Sequence, residues 1–193
     1  AEEKNERTFH IILTTSNHPP YNIDVAAKGF PKEEIKQKLP DSLGSDEETL
    51  NEMGHIWYVD QSMGNFIEKV EADKPDTLFV ITGDHAERFE FAQEVDLKTL
   101  SAVPCIFYGK NVDKDLLADN KVDCHLQIIS TLAEMAGKKG DTYSSIWPSL
   151  FDYNGIDFNH RLWTDTEKIY KINSEIPNTL ANIIIIARSL KIL

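Results

Sequence analysis

Residues 77–90, TLFVITGDHAERFE, constrain the chain more than any other stretch. An unbroken apolar run, Leu78-Phe79-Val80-Ile81, follows Lys74-Pro75-Asp76 and gives way to Thr82-Gly83-Asp84-His85. A short, continuous, β-branched run of this kind predicts a strand buried on both faces, as in a parallel sheet. Gly83 lets the chain turn where the strand stops. Open α/β sheets bind ligands beyond the carboxyl ends of their strands, so Asp84 and His85 stand where a site would form. A hard carboxylate oxygen beside an imidazole suits a divalent cation such as Zn²⁺ or Mn²⁺. The same dipeptide also fits a plain turn, with Asp84 as its cap and His85 simply exposed, and alone it decides nothing.

Charge narrows the partners. With 20 basic against 32 acidic residues the net charge is −12, which argues against a nucleic-acid surface built from clustered Lys and Arg. It argues equally against docking on an anionic membrane face. The 193 residues, 41% hydrophobic and 27% charged, suffice for one domain with a real core, 1–193. The longest apolar stretch, Leu180 to Ala187, falls far short of the roughly 20 residues of a membrane span, so no membrane insertion is expected of this segment. The polar start AEEKNER has no signal-peptide character, and no Asn-x-Ser/Thr acceptor occurs. Cys105 lies in an apolar run and reads as a buried free thiol, and neither it nor Cys124 has metal-knuckle spacing. Whether the two form a disulfide stays open. The oligomeric state is not encoded in any of these patterns.

In chain order, Thr8 to Thr15 is a second strand candidate ending at Ser16-Asn17-His18-Pro19-Pro20-Tyr21. His10 reads as a packed or edge residue. Pro19 holds His18 out of helical conformation, and a stiff loop at a strand exit either presents that imidazole to an anion or is only a loop. Residues 22–44 read as a surface excursion with a short helix, Lys32 to Leu39, stopped by Pro40. Ser45 with Glu48 makes a capping box opening a long amphipathic helix to about Ala72. Its stripe is Leu50, Met53, Trp57, Gly64, Ile67 and Val70. Asp60 falls on the stripe and needs a partner there, while His55 lies off it and reads as solvated. This helix would complete a right-handed β-α-β unit. Segment 86–100 has no clear pattern, and Arg88 within it offers a planar fork of donors to a substrate anion or a surface salt bridge. Ala102 to Tyr108 is a third strand, with Pro104 at its start or edge and Gly109 at its end. Asp123 caps a helix from Cys124 to Ala136 with core face Ile128, Leu132 and Met135, closed by Gly137, Lys138 and Lys139. His125 is a cap-region or site residue. Tyr143 to Phe151 reads as loop. His160–Thr164 and Lys168–Ile172 read as a hairpin turning at Asp165-Thr166-Glu167, before a final helix from about Glu175.

Five separated pieces now align with one family: TTSNHPPYNI at 14–23, YVDQSMGNFIEKV at 58–70, FVITGDH at 79–85, VPCIFYG at 103–109 and CHLQIISTLAEMAG at 124–137. In order and spacing the chain resembles the C-terminal part of the sulfatase branch of the alkaline-phosphatase superfamily. Within it, the nearest likeness is to the lipoteichoic-acid-synthase and phosphoglycerol-transferase group. The resemblance covers about residues 8–152, leaving 153–193 as a C-terminal hairpin and helix. It implies an alkaline-phosphatase-like α/β fold, a mostly parallel sheet with helices on both faces. It implies that Asp84 and His85 bind the catalytic divalent metal, Mn²⁺ or Zn²⁺ with Ca²⁺ or Mg²⁺ as further options. His18 would contact the phosphate or sulfate, or a second metal in some relatives, and His125 would be peripheral. The implied chemistry is metal-assisted transfer or hydrolysis at phosphorus or sulfur on an ester substrate such as a lipid or glycan headgroup. The implied parent protein is extracytoplasmic and membrane-tethered through upstream segments.

Several positions depart from the family pattern. Ala86 replaces the Gly that usually follows the Asp-His pair, and Gln127 and Ser130 replace an Asp and a Pro. The family's nucleophile and first acidic ligand lie upstream of the SNH segment, where only seven residues precede Thr8. The expectation is therefore the C-terminal part of a catalytic domain, with a non-catalytic sulfatase-fold module that binds a metal or anion as the alternative.

Overall fold

The structure is a computed structural model that describes residues 7–86, 96–113, 124–137, 141–145, 147–151, 157–158, 162–165 and 168–171. Its contacts gather into two units, Ala1–Lys110 and Asn111–Leu193, and each is taken by itself.

In the first unit, α1 spans Lys32–Lys38 and a short 3-10 turn spans Asp41–Leu43. Glu33 and Glu34 of α1 lie in its first turn and Lys36 and Lys38 in its last, complementing the helix dipole. Helix α2 runs Glu47–Asp73. Its cap is Asp46, one residue beyond the expected Ser45. The Asp46 carboxylate accepts from Thr49 N–H at 2.9 Å and from Thr49 Oγ1 at 3.0 Å, satisfying donors a helix start leaves open. The stripe read from the sequence holds: Leu50 is buried and Met53, Trp57, Ile67 and Val70 are half-buried, although Gly64 is exposed. Segment 22–31 is less of a surface excursion than its composition suggests. Val25 and Phe30 are buried against α2, with Phe30 tilted 5.8 Å from Trp57. They pack where α2 carries Gly54, since a Cβ there would lie 2.6 Å from Val25 Cγ2.

The Phe79–Thr82 strand, β1, is half-buried rather than buried on both faces. A five-residue helix, α3 (Leu97–Ser101), follows within the segment that shows no sequence pattern, and β2 is Cys105–Tyr108. The two strands pair antiparallel, Phe79 opposite Tyr108 and Thr82 opposite Cys105. This corrects the expected mostly parallel sheet, because an apolar run encodes burial and not the direction of its neighbour. Phe66 of α2 packs edge-on against Phe79, which tilts against Tyr108. Cys105 is exposed, not buried, and neither cysteine is in a disulfide. The expected strand Thr8 to Thr15 does not form, and Phe9, Ile11, Ile12 and Leu13 are 63–84% exposed. A strand exists only through a partner's ladder, and none meets this run among the described residues, so the expected β-α-β unit is absent there.

In the second unit, α4 spans Leu126–Ala136 and ends at Gly137, whose N–H donates to Ala133 O. Its fully buried face is Gln127, Ser130 and Thr131, polar and turned away from the expected Ile128-Leu132-Met135 stripe, which is half-buried. Hydrogen bonds hold Ser130 and Thr131 on this face, and Gln127 Oε1 accepts Cys124 N–H at 2.9 Å while its Nε2 finds no partner among the described residues. Ser130 Oγ and Ser145 Oγ both donate to Trp147 O, while Thr131 Oγ1 donates to Gln127 O and accepts from Leu150 N–H. The two family departures, Gln127 and Ser130, are thus core positions. Strands β3 (Asp157–Phe158), β4 (Leu162–Thr164) and β5 (Ile169–Lys171) form an antiparallel sheet in that order. The expected hairpin is β4–β5. Its turn is held by Lys168 N–H on Asp165 Oδ1, and Trp163 stacks on Tyr170 at 4.3 Å. Trp147, Leu150, Phe158 and Trp163 are the buried core. Asp123, Lys138, Lys139 and the helix expected from Glu175 lie outside the described residues. Among the described residues no helix is long and apolar enough to cross a membrane.

Candidate functional site

Asp84 and His85 stand where β1 ends, next to the start of β2. A Cβ on Gly83 would lie 3.3 Å from Val103, so the absence of a side chain lets the turn pass close to the incoming strand. Asp84 Oδ1 accepts His85 N–H at 3.0 Å, and Asp84 Oδ2 stands 3.7 Å from His85 Nε2. The carboxylate is 82% exposed and the imidazole 41%. One carboxylate oxygen and one imidazole nitrogen therefore face each other at the surface, a donor pair of the kind Zn²⁺ or Mn²⁺ accepts. They supply two donors of the four or more such ions take. Among the described residues no group of three His, Cys, Asp or Glu side chains completes the set.

His18 is exposed at the end of a turn in which its N–H donates to Thr15 O at 3.2 Å. Its Nδ1 lies 2.7 Å from Pro19 O. A carbonyl only accepts, so Nδ1 carries a proton and Nε2 is left for a ligand. Beside it, Asn17 Oδ1 is buried with no hydrogen-bond partner, and the Pro19-Pro20 bond is cis. No hydrogen bond or ion pair joins His18 to Asp84 or His85 among the described residues. Arg88 lies outside the described residues. His125 occupies the N-cap position of α4 and is exposed. Asp60 is exposed and lines an open groove of roughly 390 Å³ with Gly64, Ile67, Glu68, Ile81 and Ile106.

His55 is a further residue whose place differs from the one expected from its sequence. It is 1% exposed, not solvated. Ile23 N–H donates to His55 Nε2 at 3.1 Å, His55 Nδ1 donates to Asn51 O at 2.9 Å, and Asn51 Nδ2 donates to Tyr21 O at 3.1 Å. The Tyr21 ring meets the imidazole edge-on at 5.2 Å. The one signal in the sequence is the i, i+4 spacing of Asn51 and His55, which puts them on one helix face.

Residues 1–138 match the family model described as Sulfatase. No curated protein and no solved structure matches the chain.

Proposed function

The chain belongs to the sulfatase family, and from that premise we propose that it takes part in metal-dependent chemistry on a phosphate or sulfate ester. The observation that carries this reading is the Asp84–His85 pair, an oxygen and a nitrogen donor 3.7 Å apart at a strand's end. Asp84 and His85 would hold a divalent cation, Mn²⁺ or Zn²⁺ before Ca²⁺ or Mg²⁺, which when bound offsets ester charge and favours an oxygen nucleophile. His18 would bind a non-bridging ester oxygen through Nε2. With Nδ1–H held by Pro19 O, the ring meets an anion as an imidazolium, and as a neutral ring it offers a lone pair instead. Arg88 would add a second cationic contact. The Ser16-Asn17-His18-Pro19-Pro20-Tyr21 segment inclines the reading towards the lipoteichoic-acid-synthase and phosphoglycerol-transferase group, with a lipid or glycan headgroup ester as substrate and a membrane-tethered, extracytoplasmic parent.

Titration calorimetry with Mn²⁺ and with Zn²⁺ tests the metal assignment. Asp84→Ala and His85→Ala should each weaken binding by about tenfold or more, the scale of losing a metal's immediate partners. Unchanged affinity in both variants removes the assignment. In the complete catalytic domain, nucleophile included, His18→Ala should slow turnover of a phosphate or sulfate ester with metal content intact, and loss of metal in that variant would make His18 a ligand.

A further inference from the structure

We propose that Asn51 and His55 are the positioning residues of His18, a buried clamp on α2 that fixes the SNHPPY loop in its binding geometry. The inference rests on His18 being the ester-binding imidazole. One turn of α2 grips the loop at two backbone points, Tyr21 O by Asn51 Nδ2 and Ile23 N–H by His55 Nε2. The Ile23 amide can only donate, so His55 Nε2 must present its lone pair. The Asn51 carbonyl can only accept, so Nδ1 holds the proton. Both partners thus select a single neutral tautomer of a ring that is 1% exposed. Such a fully matched buried polar contact defines one arrangement.

The clamp is close enough to His18 to matter. Between His18 and the Tyr21 anchor lie only Pro19 and Pro20, whose rings fix φ at both positions. On the far side, Val25 and Phe30 bury themselves at Gly54 and Trp57, so the loop cannot slide along the helix. A ligand group held this way loses little freedom on binding, and preorganisation raises affinity by cutting that cost.

The test is nuclear magnetic resonance on the isotope-labelled protein as wild type, His55→Leu and His55→Gln. Leu keeps an apolar side chain without an acceptor, and the Gln carbonyl reaches where Nε2 sits. The first readout needs no ligand. In His55→Leu the Ile23 amide should lose its exchange protection, and the His18 amide order parameter should fall from about 0.85 towards 0.6 or less. The second readout is inorganic phosphate titrated against the His18 ring resonances, with apparent affinity falling about fivefold in His55→Leu, as expected when the binding-competent population drops. His55→Gln should restore both.

Wild-type values of both readouts in a His55→Leu protein with normal helix content and tryptophan emission overturn the proposal. So does a folded His55→Gln that restores neither. If the first readout responds but wild-type His18 ignores phosphate, the clamp stands and the anion-binding reading of His18 falls. Should His55→Leu fail to fold, Asn51→Ala removes the Tyr21 anchor alone, and a wild-type His18 order parameter together with wild-type phosphate affinity in that variant overturns the proposal.

Discussion

Four carboxylates, Asp46, Glu47, Glu48 and Glu52, gather at the start of α2, and they do not share one environment. Asp46 is held below its ordinary range by hydrogen bonds from Thr49, first the backbone N–H and then the hydroxyl. Glu52 is pushed up, first by burial and then by the charges of Glu48 and Asp46. A carboxyl whose folded pKa is raised binds more protons folded than unfolded in the window between its two values. Stability therefore falls as pH rises through that window, and the penalty is complete above it. Glu52→Gln should be more stable than wild type at neutral pH by roughly a few tenths of a kcal/mol, a gain kept small by solvent screening. The difference should vanish below the ordinary glutamate range. Urea unfolding at pH 7 and in acid checks both ends, and a gain that persists in acid would assign it to packing instead. Position was legible at this scale for Asp84 and His85, because a strand's exit follows from an apolar run ending in Gly. His55 was not legible. Its hydrogen-bond partners are backbone atoms of Ile23 and Asn51, and the Tyr21 ring meets it edge-on; hydropathy says nothing about a backbone group some thirty residues away. Cys105 was misjudged for a related reason, since an apolar neighbourhood in sequence does not tell which face a strand leaves open.

Among the elements, α2 was read nearly whole because its period persists over 27 residues and caps shift an end by only a residue. Its two glycines make a matched experiment. A Cβ at Gly54 would meet Val25 Cγ2 at 2.6 Å and Phe30 Cδ1 at 3.1 Å, whereas nothing lies within 4 Å at Gly64. Glycine costs a helix interior about 0.8–1 kcal/mol relative to alanine, so Gly64→Ala should stabilise by up to about that amount. Gly54→Ala gains the same backbone term but drives a methyl into the Val25–Phe30 contact, and overpacking of about 1–3 kcal/mol should leave it net destabilised. Equilibrium urea unfolding of the two variants should move the midpoint in opposite directions. Stabilisation by both would mean that Val25 and Phe30 yield easily, leaving the apolar side of the loop clamp weak. Helix α4 shows the limit of the same reasoning. Its apolar stripe was legible, yet the fully buried face is Gln127, Ser130 and Thr131, held by hydroxyl bonds to backbone of residues 147–150 that no periodicity reveals.

Across the whole molecule, what the sequence could not convey was pairing. The apolar runs at 79–82 and 105–108 do become strands, yet their antiparallel register depends on long-range hydrogen bonds. The run at 8–15, as apolar as either, forms none among the described residues. Charge is the whole-molecule property that was legible, and it makes the last prediction. An excess of 12 negative charges repels itself more when folded than when unfolded. Raising NaCl from about 10 to about 150 mM shrinks the screening length from roughly 30 to roughly 8 Å. The same salt weakens the exposed pairs Lys32–Glu47 and Lys38–Glu34, but such pairs contribute little individually. Repulsion acts over the entire surface and should win, so Tm should rise with NaCl; a fall would mean that local pairs dominate. A divalent cation adds a separable effect. At matched ionic strength, an ion bound only by the folded state raises stability in proportion to the logarithm of its concentration over Kd. MnCl₂ should therefore raise wild-type Tm beyond the NaCl control, and Asp84→Ala should lose that increment while keeping the response to NaCl. An increment surviving in Asp84→Ala would assign Mn²⁺ stabilisation to the acidic surface at large and not to the Asp84–His85 pair.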